Sequence, residues 1–140
     1  MLVPSISDQK SGPLISHCFV RCPAPNLLNA SPLWLCTIHQ DNILRLWNLD
    51  DGRCVMNSSP DLLVSKGLNL KNIKGFPGHV ILIGDSGDVY IVNVYTMQLS
   101  SHMFMTFKGL VKCKYDSNDS ILQVCDQVGQ VSEFMDSKQS

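Results

Sequence analysis

Short apolar runs, rich in β-branched and aromatic residues and bounded by Gly, Pro, Asn and Asp, recur along the chain, and no segment keeps a helical period beyond a turn or two. Alternation with period two, broken by turn formers, is the pattern of strands; a helix face needs apolar positions three and four apart. The clearest stretch is LWLCTIHQDNILRLWNLDDGRC, residues 33–54. An apolar strand over 33–38 meets a tight turn at Asp41-Asn42, a second strand spans 43–49, and Asp50-Asp51-Gly52-Arg53 turns the chain into a third. Asp, Asn and Gly suit such hairpins because they tolerate left-handed backbone and, for Asp and Asn, bond their own main chain.

The same layout returns twice. TIHQDNILRLWNL (37–49), LIGDSGDVYIVNV (82–94) and VCDQVGQVSEFMD (124–136) align without gaps, placing Asn42, Gly87 and Gly129 at one turn position and Trp47, Val92 and Phe134 at one strand position. The turn residues are spaced by 45 and 42 residues, a period that suits a four-stranded propeller blade. Further strands are expected ahead of the units at 14–20, less clearly at 67–73, and at 109–115, and behind the first two at 54–57 and 98–104. The third unit is the weakest, since Glu133 stands where Leu46 and Ile91 are apolar, and the chain stops before a last strand. The expected fold is therefore all-β: a partial propeller of about three four-stranded antiparallel blades, over 12–59, 60–105 and 106–136, with fraying ends at 1–11 and 137–140.

DNILRLWNL resembles the WD-repeat signature, an Asp-Gly turn followed by a strand ending in Trp-Asp, with Asn42 standing for the glycine and Asn48 for the terminal aspartate. In that family a buried hydrogen-bond set joins a histidine, a Ser or Thr, the turn Asp and the Trp. The resemblance places Thr37, Asp41 and Trp47 in the last three roles and Lys10 near the place of the histidine, so the set is expected to be incomplete and the blade less stable. The order and spacing of LRLWNLDDGRC (44–54), VILIGDSGDVYIVNVYTMQL (80–99) and DSILQVCDQVGQV (119–131) are similar to the early blades of the rabconnectin beta-subunit family of large WD-repeat proteins. That resemblance implies a cytoplasmic scaffold on endosomal or synaptic vesicles, acting with a rabconnectin alpha subunit to assemble or regulate the proton-pumping vacuolar ATPase.

Composition narrows the function classes. The 140 residues carry 44% hydrophobic and 16% charged side chains with a formal net charge of −1, which is globular and offers no bulk attraction to nucleic acid. Lys66, Lys71 and Lys74 gather loosely and read as solvated loop charges. No apolar run is long enough to span a bilayer and the first ten residues lack a secretory pattern, so a reducing, cytoplasmic setting is expected for the six cysteines, with the sequons at Asn29, Asn57 and Asn118 silent there.

The rival chemistry is a small zinc-binding module using Cys18, Cys22, Cys36 and His39, a C-x3-C followed by C-x2-H. Strand parity opposes it, because Cys36 and His39 then point to opposite sides of a sheet. None of the four histidines sits with a cysteine in a glycine-framed nucleophile turn, and Asp85-Ser86-Gly87-Asp88 lacks the acidic end of a calcium loop and reads as a hairpin. No cofactor, catalytic or metal residue is assigned. Asp50, Asp51, Arg53, Tyr95 and Met97 are the exposed loop candidates for partner binding, although Asp51 and Arg53 are also ordinary hairpin residues. The function expected is a non-catalytic protein-interaction scaffold. As a propeller closes with four to eight blades, an open arc is expected to expose apolar faces at both ends and to be marginal, oligomeric, completed by another chain, or a truncated fragment without independent function.

Overall fold

The computed structural model describes residues 12–21, 33–107 and 111–135. Among them are eleven strands and no helix, in three separate antiparallel sheets. Sheet 1 is β1 (Leu14–Arg21), β2 (Leu33–His39), β3 (Leu44–Asn48) and β4 (Cys54–Asn57). Sheet 2 is β5 (Asn69–Asn72), β6 (His79–Ile83), β7 (Asp88–Asn93) and β8 (Gln98–Phe104), and sheet 3 is β9 (Lys112–Asp116), β10 (Ile121–Cys125) and β11 (Val131–Met135). In each sheet, strands adjacent in sequence are adjacent in space. The third sheet thus has three strands among the described residues. No helix in the described residues is long and apolar enough to cross a membrane.

The turns explain why these runs become hairpins. The three aligned turn residues all adopt positive φ: 66° at Asn42, 96° at Gly87 and 93° at Gly129. At the first, Asn42 N–H bonds the His39 carbonyl at 2.9 Å and the Asp41 carboxylate accepts Ile43 N–H at 3.2 Å. At the second and third, Gly84 N–H bonds the Asp88 carbonyl and Asp126 N–H the Gln130 carbonyl. Left-handed backbone is open to glycine and, through its short amide, to asparagine, so each turn residue suits its conformation.

Period-two alternation then divides the core into two layers. Leu70, Val80, Leu82, Tyr90 and Val92 of sheet 2 join Val20, Cys36, Ile38, Leu44 and Leu46 of sheet 1 in one buried cluster. The alternate residues Ile81, Val89 and Ile91 join Cys113, Leu122 and Val124 of sheet 3 in another. Sheet 2 is therefore covered on both faces, and β7 is buried along five consecutive residues. Each such fully buried aliphatic side chain contributes about 1.5–3 kcal/mol.

The first strands of successive sheets converge on one edge. Leu70 N–H of β5 bonds Ser16 Oγ of β1 at 3.0 Å. Beyond β5, Lys74 forms a parallel bridge with Lys114 of β9, made by Lys74 N–H to the Cys113 carbonyl at 3.1 Å and Tyr115 N–H to the Lys74 carbonyl at 2.7 Å. Gly75 permits that approach, since a Cβ there would lie 2.6 Å from the Tyr115 carbonyl oxygen.

The outer faces of sheets 1 and 3 both mix apolar and charged residues, in different proportions. On the face of sheet 3 turned from sheet 2, Lys112, Lys114, Asp116 and Glu133 are exposed, Gln123 Nε2 donates to Glu133 Oε2 at 2.7 Å, and the exposed Val131 lies opposite the half-buried Cys125, with Ile121 on the same face. The corresponding face of sheet 1 carries Phe19 and Leu33, 45% and 41% exposed, beside Leu35 and Trp47, together with His17, Arg21 and Arg45.

Candidate functional site

Sequence-marked residues cluster first at the outer face of sheet 1. Thr37 on β2 and Trp47 on β3 lie one step out of register on one face, because Thr37 pairs with Arg45 and Leu35 with Trp47. The indole Nε1–H donates to Thr37 Oγ1 at 2.8 Å, and the two residues are 3% and 0% exposed. Asp41 is engaged elsewhere: Arg45 donates to it through Nη1 at 3.1 Å and Nη2 at 2.6 Å. Burial raises the Asp41 pKa, but the hydrogen bonds from Arg45 and Ile43 N–H, with the charge of Arg45, outweigh it and hold the carboxyl below its ordinary value. Of the three roles that the WD resemblance suggested, the structure joins the Thr and the Trp, and pairs the Asp with an arginine. Lys10 lies outside the described residues.

A second polar cluster joins Ser86 and Asp88, marked in the sequence only as a hairpin turn, to Ser65 and His102. Asp88 at the start of β7 accepts Ser65 Oγ–H and, at 3.2 Å, Ser86 Oγ–H, while its other oxygen meets His102 Nε2 at 2.9 Å. The His102 ring stacks on Tyr90 at 4.2 Å, and the Tyr90 hydroxyl accepts the N–H groups of Val64 and Ser65 at 3.3 Å. Hydrogen bonds from Ser65, then His102, then Ser86 lower the Asp88 pKa against the opposing effect of burial. Although Ser, His and Asp meet here, the wiring is not that of an activated serine: the hydroxyl is spent on the carboxylate, and His102 bonds the carboxylate too. The cluster pins the β4–β5 connection to sheet 2. The signal for it in the sequence was weak, an Asp directly after the turn glycine of the second repeat.

Other candidates separate. Cys18 and Cys36 are directly opposite across β1 and β2 and belong to the core layer between sheets 1 and 2. His39, three residues beyond Cys36, is on the other face by parity, and Cys22 lies outside the described residues. Among the described residues no three metal-ligating side chains converge. Asp50, Asp51 and Arg53 sit in the β3–β4 turn, where Asp51 and Arg53 form an exposed pair at 3.7 Å. Met97 is not an exposed loop residue: it is 8% exposed, at φ 57°, with its side chain in the core, and Tyr95 is half-buried with its hydroxyl donating to the Arg21 carbonyl. Lys71 is a strand residue on β5 rather than a loop charge.

Where the first strands converge, a half-open cleft of 790 Å³ forms. Connections alternate between the two ends of the antiparallel strands, and this cleft lies at the end that bears the β6–β7 and β10–β11 turns, represented by Asp85 and Gln127. Ser16, His17, Asn69 and Lys71 supply polar groups, and Ile15, Leu70, Phe107 and Val111 apolar surface. A smaller cleft of 590 Å³, lined by Phe19, Arg21, Leu33 and residues 72–79, opens at the opposite end. Mixed lining of this kind holds a ligand by apolar burial and fixes it by a few hydrogen bonds. Comparison of the sequence with protein-family models and with curated proteins finds no match.

Proposed function

We propose that the chain is a non-catalytic interaction scaffold, a partial propeller whose inner-edge cleft takes an extended peptide segment of a partner protein. The observation that carries this reading is the layering of sheet 2, buried on both faces between its neighbours while β1, β5 and β9 run together along one edge. Antiparallel meanders stacked this way, first strands innermost, match the radial repetition of propellers, and the equivalent positive-φ turns at Asn42, Gly87 and Gly129 support a common repeat. Propellers bind through surfaces offered by the ends of a rigid stack. The cleft's alternation of amide, hydroxyl and ammonium groups with aliphatic walls suits a main chain with apolar side chains.

The resemblance to the rabconnectin beta-subunit family directs the partner search to the vacuolar ATPase and a rabconnectin alpha subunit, at the cytoplasmic surface of acidifying vesicles. The test is direct binding of the purified chain to each, comparing Lys71→Glu and Phe107→Asp in the cleft with Asp51→Lys at the other end. Loss of binding in both cleft variants, with Asp51→Lys unaffected, is the expected result. Equal binding by all variants overturns the cleft as the contact surface, and failure of either partner to bind overturns the vesicular assignment.

A further inference from the structure

The face shared by sheets 1 and 2 holds a pair of thiols that the scaffold role does not use. Cys18 on β1 and Cys36 on β2 are register partners in an antiparallel pair, so their side chains leave the same face, with Cα atoms about 4.5–5.5 Å apart. That separation falls within the range a disulfide bridges without backbone movement. Both are free thiols; Cys36 is fully buried and Cys18 half-buried. Cys18 is therefore the member that a small oxidant in solvent can reach, and Cys36 the member beneath it. Direct opposition makes the pair unlike the other described cysteines, Cys54 on β4, Cys113 on β9 and Cys125 on β10, none of which is opposite another cysteine.

We infer that Cys18 and Cys36 form a reversible oxidative modification site, in which a peroxide oxidises Cys18 and Cys36 resolves it to a cross-strand disulfide. In the first step the Cys18 thiolate attacks one peroxide oxygen and the O–O bond breaks, giving the Cys18 sulfenic acid and releasing hydroxide, or an alkoxide from an organic peroxide. In the second the Cys36 sulfur attacks the Cys18 sulfur, the S–O bond breaks, and the departing hydroxide takes the Cys36 proton as water. Two thiols are oxidised by two electrons and one peroxide is reduced. The order of roles agrees with the environments: a hydrogen bond to Cys18, then burial, then the charge of Cys18 raise the Cys36 pKa, which keeps that thiol protonated until its partner is activated. The bond ties β1, the strand that touches sheet 2 through Ser16 and Leu70, covalently to the rest of sheet 1.

The experiment treats the purified full chain with hydrogen peroxide, blocks remaining thiols with a maleimide after denaturation, and maps the cysteines by mass spectrometry without reduction. The expected result is a linked peptide pair containing Cys18 and Cys36, lighter by two hydrogens and released by dithiothreitol, with Cys54 and Cys125 alkylated. A Cys18–Cys22 link, terminal oxidation of Cys18 without a link, or complete alkylation of both thiols overturns the inference. In Cys36→Ser the Cys18 sulfenic acid should persist and be trapped by dimedone. The wild-type map decides the question even when that variant does not fold.

Discussion

Replacing Thr37 by Val tests the buried polar contact of the first sheet with almost no change of shape. The hydroxyl of Thr37 is the acceptor of the Trp47 indole N–H at 2.8 Å, and both residues are effectively removed from water. Valine keeps the β-branched outline and leaves the indole N–H buried without that acceptor, at a cost of about 1–3 kcal/mol. Thr37→Ser keeps the acceptor and removes one methyl, worth about 0.8 kcal/mol. The valine variant should therefore be the less stable of the two, although it is the closer match in volume. Urea unfolding followed by tryptophan fluorescence provides the assay, with an unchanged slope required so that the midpoint shift measures stability. Trp47→Phe supplies the second arm of a double-mutant cycle, with Trp34 remaining as reporter. In that background Thr37→Val should cost about 1 kcal/mol less than in the wild type, because no indole N–H remains to be stranded. An equal cost in both backgrounds, or a valine variant as stable as the serine one, refutes the reasoning.

Other outcomes follow from the remaining contacts. Arg45→Gln removes the two hydrogen bonds to Asp41, a partly exposed pair, and should cost under about 1 kcal/mol by thermal melting, the range of near-surface ion pairs. Because the pKa values of Asp41 and Asp88 are lowered in the folded chain, their contribution is present above the unfolded carboxylate value near 3.9 and is lost as the pH falls through the lowered folded values. Stability should fall below about pH 4, and less steeply in Asp88→Asn than in the wild type when acid unfolding curves are compared. Gly75→Ala places a Cβ 2.6 Å from the Tyr115 carbonyl at positive φ, whereas Gly129→Ala meets nothing within 4 Å. The first should lose clearly more than the roughly 1 kcal/mol expected from backbone conformation alone, the second about that amount. Burial pushes the Cys113 pKa up to about 11, against a smaller opposing effect of Lys71, so its maleimide labelling in the native chain at pH 8 should be far slower than that of Cys54.

Hairpins and their faces were legible because each rests on local chemistry. Asn42, Gly87 and Gly129 announce their turns through the backbone they tolerate, and the strands predicted at 54–57 and 98–104 have the observed bounds. Between these turns, alternation alone determines which residues of β7 face sheet 1 and which face sheet 3. What escaped the sequence is side-chain contact beyond a single turn: Ser65 reaches Asp88 from the β4–β5 connection, and His102 reaches the same carboxylate from the neighbouring strand β8. Hairpin pairing brings His102 near Asp88, but no spacing rule brings Ser65 there from the connection before β5. Met97 was misread for a related reason, since a loop position says little about burial when a turn folds its side chain back into the core.

The end faces carry the strongest lesson of this kind. The third unit's strand pattern hints at a difference through Glu133 alone, and only the register shows that Lys112, Lys114, Asp116 and Glu133 share one outward face. Burying that face against a further sheet would remove four charges from water, of which Glu133 alone has a side-chain partner described, Gln123, at a cost per unpaired charge exceeding what an apolar side chain gains. The opposite face carries fewer charges: Arg21 beside the exposed Phe19 and Leu33, and Arg45, which is already paired with Asp41. Packing a further sheet is therefore expected to cost less against sheet 1 than against sheet 3. Replacing Lys112 and Lys114 by leucine removes part of that barrier and should raise the apparent mass in sedimentation, whereas replacing Phe19 and Leu33 by serine should not. A variant series in which the leucine substitutions leave the mass unchanged and the serine ones raise it contradicts this polarity.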